Sequence, residues 1–373
     1  MLIRKALRSR PVRFWLAAAG VGVGTLLVLV LGAAYRSVST SVAAYVGQRD
    51  IDLWVAPIGT DNLMRSSALL PVALADSLLT MSGVAAAQPV MRAYVTVKAD
   101  PASGGTERRA ALIGIGYLAP DGRGGPPAIV RGDAPQGQQD VALDRAAAHR
   151  LGVTIGDTVW VNGRPAVVRG LTSGTNLLAT QFIFVNLTAL SLTTGLAGRA
   201  SFIVVQCAHG AEPTQVAEAI RARFPNIAVF QTEEFVDNNS REIGAGFIPL
   251  LALIGLLGIS AAAVLVALLV HAVVEEGRAD IAVLLALGAE TTALAGCVIR
   301  EAVALVVVGG LIGTTMAFAL GTLLERLMPV IPLTFHLINV LGVLLVFAAA
   351  GIAAAVVPIL RLRRVDPLEA FRP

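Results

Sequence analysis

EEGRADIAVLLALGAE, Glu275 to Glu290, lies between two long apolar stretches and decides how the rest of the chain is read. Glu275, Glu276, Arg278 and Asp280 crowd four charges into six positions. Ile281, Leu284 and Leu285 then recur at helical spacing, and Gly288 closes the pattern. Acids near a helix N-terminus suit its dipole, and a glycine suits its C-cap. The spacing therefore predicts a short helix with one apolar face. On physical grounds two readings stand level: an amphipathic helix resting on lipid, or a docking knob for a partner.

The flanks of this stretch set its surroundings. Of the 373 residues 55% are hydrophobic and only 14% charged, with mean hydropathy +0.74. Soluble domains carry about 25% charged residues, so part of the chain is built for lipid. Four runs have spanning length: 14–34, 243–274, 301–324 and 337–360. The first is longer than a signal-peptide core and is expected to stay as a helix. The second exceeds a bilayer's needs and is expected to project beyond it. Arg4, Lys5, Arg8, Arg10 and Arg13 precede the first run, and Arg361, Arg363 and Arg364 follow the last. Basic flanks belong in the cytoplasm, which puts 1–13, 275–300 and 361–373 there, with 325–336 a short outer loop.

Residues 35–242 are then the extracytoplasmic domain. They hold 17 basic and 17 acidic residues, so the net charge of +4 comes from the N-terminal flank. Nothing resembles a phosphate-binding groove, and nucleic acid is excluded as a partner. The domain reads as mixed α/β. DIDLWVAP alternates Ile51, Leu53 and Val55 with Asp50, Asp52 and Trp54, a period-two strand pattern. Asn162-Gly163 between β-rich runs signals a hairpin. EPTQVAEAIRARF followed by IAVFQ gives helix then strand. This last unit suggests a ferredoxin-like subdomain, with the hairpin in a second lobe.

Chemistry is bounded by what is missing. The only lysines, Lys5 and Lys98, follow Arg4 and Val97, so no P-loop exists to hold ATP. Two separated cysteines and four scattered histidines form no zinc motif. No nucleophile elbow is present, and no catalytic residues are assigned. The first, second and fourth runs carry none of the charges that mark ion pathways, and Arg300 and Glu301 lie at the cytoplasmic edge of the third, where snorkelling explains them. Gly20/Gly24 and Gly309/Gly313 have the spacing that lets helices approach closely.

The segment from Glu276 to Ala289 resembles the ExRxxIAVLxALGA signature of FtsX-like (MacB-type) permeases of ABC transporters, with Gly277 and Asp280 departing from the usual basic run. RLRRVDPLEAFR resembles the same family's closing motif, in Arg364, Asp366, Pro367, Glu369 and Ala370. ALDRAAAHRLGVTIGDTVWVNGRPAVVRG is similar to its periplasmic-core pattern. The resemblance implies the type VII ABC permease architecture: four transmembrane helices and an outer domain with a ferredoxin-like porter subdomain and a second lobe. It further implies a non-catalytic homodimeric permease in the bacterial inner membrane, with both termini cytoplasmic. ATP and Mg would act only through a separate ATPase, and a periplasmic adaptor is a further partner in such systems. The coupling residues would be Glu276, Arg278, Asp280, Ile281, Leu284, Leu285, Leu287 and Gly288. The expected work is extrusion of amphiphiles such as lipid, lipoprotein, peptide, haem or drug. The alternative is a signalling module that controls a cell-wall hydrolase or sensor without transport.

Overall fold

A computed structural model describes residues 11–65, 68–99, 107–119, 122–175, 180–276, 283, 290–327, 333 and 335–362. It divides into two compact units. One comprises residues 34–246 with 325–332; the other holds the remaining helical segments.

In the helical unit four helices are long and apolar enough to cross a membrane. They are α1 (Pro11–Val46), α6 (Thr232–Glu276), α7 (Thr291–Leu327) and α8 (Leu337–Leu362). The unit boundaries fall inside α1 and α6, and both helices continue past the uncharged runs that mark them in the sequence. Of the four, α1 is the most buried and α6 the least. Ala18, Val21, Val266, Leu305, Val306 and Phe347 form the common core.

Glycines let α1 reach that central place. A Cβ on Gly309 would lie 2.6 Å from the Ala18 carbonyl oxygen, and one on Gly313 would strike the Gly22 carbonyl. Gly24 faces Gly258 of α6 less tightly, a Cβ there standing 3.4 Å from the Gly258 Cα. In lipid, helices associate through close packing of this kind rather than through expulsion of water. The spaced glycines are thus used between helices of one chain.

The other unit is the mixed α/β domain. Its first lobe runs β1 (Leu53–Pro57), α2 (Ala73–Leu79), β3 (Val84–Ala99), then after a long insertion β11 (Phe202–Cys207), α5 (Pro213–Arg223) and β12 (Ile227–Gln231). The antiparallel order β12-β1-β11-β3 is that of a split βαβ, ferredoxin-like sheet. Pro213 sits at the start of α5, where its missing N–H costs nothing. Leu53, Val55, Ala87, Ile203 and Val205 face α2 and α5 in one apolar layer. A short pair, β2 (Leu70–Pro71) with β10 (Arg199–Ala200), lies beside this lobe.

The insertion forms the second lobe: β4 (Arg109–Tyr117), β5 (Ile129–Gly132), β6 (Asp140–Asp144), α3 (Arg145–Leu151), β7 (Thr158–Val161), β8 (Arg164–Thr172), β9 (Phe182–Asn186) and α4 (Leu187–Thr194). Pairing runs β3-β4-β9-β6-β8-β7 and returns to β3, so six strands close a ring. Closure removes the sheet edges. The predicted hairpin joins β7 to β8, with Asn162 at φ 47° and Gly163 at φ 84°. Two central residues with positive φ define the primed turn that matches strand twist. Asp144 caps α3 by accepting from Ala146 N at 2.8 Å, and Gly152 closes that helix in the left-handed region.

The glycine contacts make a direct prediction. Gly313→Leu pushes α7 away from α1, whereas Gly342→Ala enters open space. Thermal unfolding of the purified chain in one detergent should show a clear drop for Gly313→Leu and almost none for Gly342→Ala. Equal behaviour of the two would show that close helix approach is unimportant here.

Candidate functional site

The porter sheet has two faces, and the amphipathic pattern of DIDLWVAP leads one to expect water on the second. The structure covers both, and every residue of β1 is buried. Trp54 points away from α2 and α5 and is fully inaccessible. What covers it is helical: the end of α1 (residues 34–46) and the start of α6 (residues 232–246), which belong to the same unit as the sheet.

The contact is aromatic. Trp54 stacks on Phe235 of α6 with ring centroids 4.9 Å apart and planes at 22°. Phe202 of β11 and Phe230 of β12 pack against Phe235 at 5.6 and 5.7 Å. On the α1 side Tyr45 meets Trp54 at 6.2 Å, Phe182 at 5.3 Å and Phe184 at 5.9 Å. Phe182 and Phe184 are the outward residues of β9, so Tyr45 touches the porter sheet and the closed ring together.

Hydrogen bonds fix the polar ends of this cluster. The Tyr45 hydroxyl donates to Gly124 O at 2.9 Å, and Gln48 Nε2 donates to Gly125 O at 2.9 Å. Trp54 Nε1 donates to Val46 O at 3.2 Å, the last residue of α1. At the other helix, Thr232 Oγ1 donates to Ile51 O at 2.7 Å and Thr232 N to Asp52 O at 3.0 Å. Buried Asn239 accepts from Leu63 N at 2.8 Å and donates to Phe235 O at 2.7 Å. Asn62 folds the loop beneath by accepting from Met64 N and Arg65 N. Arg65 then pairs with Glu242 at 2.7 Å, an exposed pair of small energetic weight.

The cluster contains no reactive group. Burial, and then the Asp52 carboxylate, push the Cys207 thiol up to about 11, so it carries no thiolate near neutral pH. Among the described residues no three His, Cys, Asp or Glu side chains gather as metal ligands. The arrangement holds parts together.

The coupling residues read from the sequence mostly lie elsewhere. Glu276 is the last residue of α6. Arg278, Asp280, Ile281, Leu284, Leu285, Leu287 and Gly288 lie outside the described residues, as do Arg364, Asp366, Pro367 and Glu369 of the closing motif. Sequence reasoning passed over Tyr45, Asn239 and the second role of Trp54. The available signal was Trp54 in the polar phase of a strand, since a large apolar side chain there asks for cover.

Two family models match. The MacB-like periplasmic core domain covers residues 14–223, and the FtsX-like permease C-terminal domain covers residues 252–367. The chain belongs to this MacB/FtsX-like family of ABC transporter permeases and is a multi-pass membrane protein. Members of the family work with an ABC ATPase. Among solved structures, the periplasmic region of MacB from Actinobacillus actinomycetemcomitans is 13% identical, with TM-score 0.40, covering 50% of this chain and 90% of that one. The extracellular domain of YknZ, a noncanonic ABC-type transporter from Gram-positive bacteria, is 16% identical, with TM-score 0.36, covering 48% and 98%. No curated protein matches the chain.

Emptying the cluster should be costly. Phe235→Ala removes a fully buried ring, a change of about 3–5 kcal/mol. Leu79→Ala, at an exposed position, should cost little. Near-ultraviolet circular dichroism during thermal unfolding of the whole chain reads the difference. A Phe235→Ala transition that coincides with that of Leu79→Ala would mean the helices are not fastened here.

Proposed function

We propose that the chain is the membrane subunit of an ATP-driven extrusion system for amphiphilic molecules. ATP and Mg bind a separate ATPase, and the energy of hydrolysis reaches the outer domain as movement of α1 and α6. The observation that carries this reading is the aromatic cluster. Tyr45 and Phe235 tie two membrane-spanning helices to one sheet, and Tyr45 ties the closed ring to the same point. A helix moved at its membrane end has no loose joint there in which to lose the motion.

In this reading both termini and residues 275–300 face the bacterial cytoplasm. The domain bounds read from the sequence (1–13, 14–34, 35–242, 243–274, 275–300, 301–324, 325–336, 337–360 and 361–373) describe its path through the inner membrane. The chain works as a homodimer with two ATPase subunits, and a periplasmic adaptor extends the route outward. Glu276, Arg278, Asp280, Ile281, Leu284, Leu285, Leu287 and Gly288 are the coupling residues, and Arg364, Asp366, Pro367 and Glu369 belong to the closing motif of the tail.

The test lies at the cytoplasmic end. Residues three and four apart share a helix face, so Ile281, Leu284 and Leu285 would enter the ATPase together. Leu284→Asp buries an unpaired charge, at a cost of several kcal/mol. Because each 1.4 kcal/mol is tenfold in affinity, co-purification of the ATPase should collapse, while Glu290→Ala should do much less. The purified chain alone should hydrolyse no ATP. A Leu284→Asp protein that keeps its ATPase and its extrusion activity would reduce the segment to a helix lying on lipid.

A further inference from the structure

The six-stranded ring is closed around its sides, and one of its mouths holds a cavity of about 240 Å³. The strand ends define that mouth. Val141 near the start of β6, Val161 at the end of β7 and Val185 near the end of β9 line it together with Leu190 of α4. These side chains are almost inaccessible, so the cavity reaches down to the apolar core of the lobe. Barrel mouths are among the places where folds take small ligands.

The rim is of different character. Arg164, the first residue of β8 beyond the Asn162-Gly163 turn, lines the cavity and makes no ion pair among the described residues. The carboxylate one residue before Val141 in β6 is already taken. Asp140 gives one oxygen to Arg169 at 2.9 Å and the other to Gly137 N at 2.8 Å. Gln138 and Gln139 also line the opening. The mouth is therefore an apolar hole under one uncompensated guanidinium.

Size narrows what fits. A dry cavity of about 150 Å³ takes benzene, whereas sites for whole drug-sized ligands begin at about 300 Å³. The cavity lies between these, so it holds one apolar arm of a ligand and leaves the headgroup at the rim. We propose that this mouth binds a small anionic amphiphile, a carboxylate carried on a short acyl or aryl chain. The chain lies against Val141, Val161 and Leu190, and the carboxylate forms a charge-assisted hydrogen bond with Arg164. The use of such a site, though not the binding itself, rests on the extrusion reading given above.

The experiment uses the whole chain in lipid nanodiscs, with Cys207→Ser and Cys297→Ser to clear the background and Thr193→Cys as reporter on the cavity wall. Alkylation of Thr193→Cys is timed with octanoate, with octan-1-ol and with neither. Octanoate should slow alkylation severalfold, and octan-1-ol should do so far less. Arg164→Ala should weaken octanoate protection about tenfold, the scale of one lost charge-assisted bond, and Arg164→Lys should retain most of it. A cysteine at Thr80, on an exposed turn, should be unaffected by either additive. No protection by octanoate would overturn the proposal. So would equal protection by octan-1-ol, or protection that survives Arg164→Ala. Octanoate stimulation of the assembled ATPase separates the two readings: protection without stimulation supports the site and counts against its use in extrusion, whereas stimulation without protection overturns the site alone.

Discussion

The α/β domain depends on the stack of Trp54 on Phe235. A ferredoxin-like sheet with helices on one face leaves the other to be covered by something, and here the cover is the ends of two long helices. Aromatic pairs contribute about 0.5–1.5 kcal/mol each beyond the area they bury. Five such contacts around Trp54 and Tyr45 make the junction one of the firmest places in the domain. The hydrogen bonds of Tyr45, Gln48, Thr232 and Asn239 add direction, which rings alone do not supply.

A second constraint acts within the helical unit. Lipid gives no hydrophobic drive for helices to associate, so contact has to come from shape. Glycines at 22, 24, 258, 309 and 313 let backbones approach until carbonyls and Cα atoms touch. This spends the packing motifs inside one chain. Much of α6 stays open, with Leu253, Leu256, Leu257 and Leu268 exposed. A homodimer would have to be built on surfaces other than the Gly309/Gly313 seam.

The sequence showed its layout because the signals there are local. Four apolar runs, the Asn162-Gly163 turn and Pro213 at a helix start each depend on a few neighbouring residues, and four apolar helices, the turn and the helix start are all present. Closure of the ring was not legible. It depends on parallel pairings of β4 with β9 and of β6 with β8, which join segments far apart in the chain. The anchor was hidden for a similar reason. Trp54 breaks the alternation of its strand only because Phe235, far along the chain, comes back to cover it. In the coupling segment, by contrast, charges and leucines indicate only a short helix with one apolar face; its coupling role comes from the family resemblance, and most of it lies outside the described residues.

If the cluster carries motion, softening it should separate the spans from the α/β domain while sparing the ATPase. The direct measurement is hydrogen exchange in the permease–ATPase complex in nanodiscs, nucleotide-free against vanadate-trapped, for wild type and Phe235→Leu. Wild type should change protection in residues 122–125 and 182–186 as well as in the spans. Phe235→Leu should confine the change to the spans at unaltered basal hydrolysis. Changes of full size in the α/β domain of Phe235→Leu would contradict a mechanical role for the cluster.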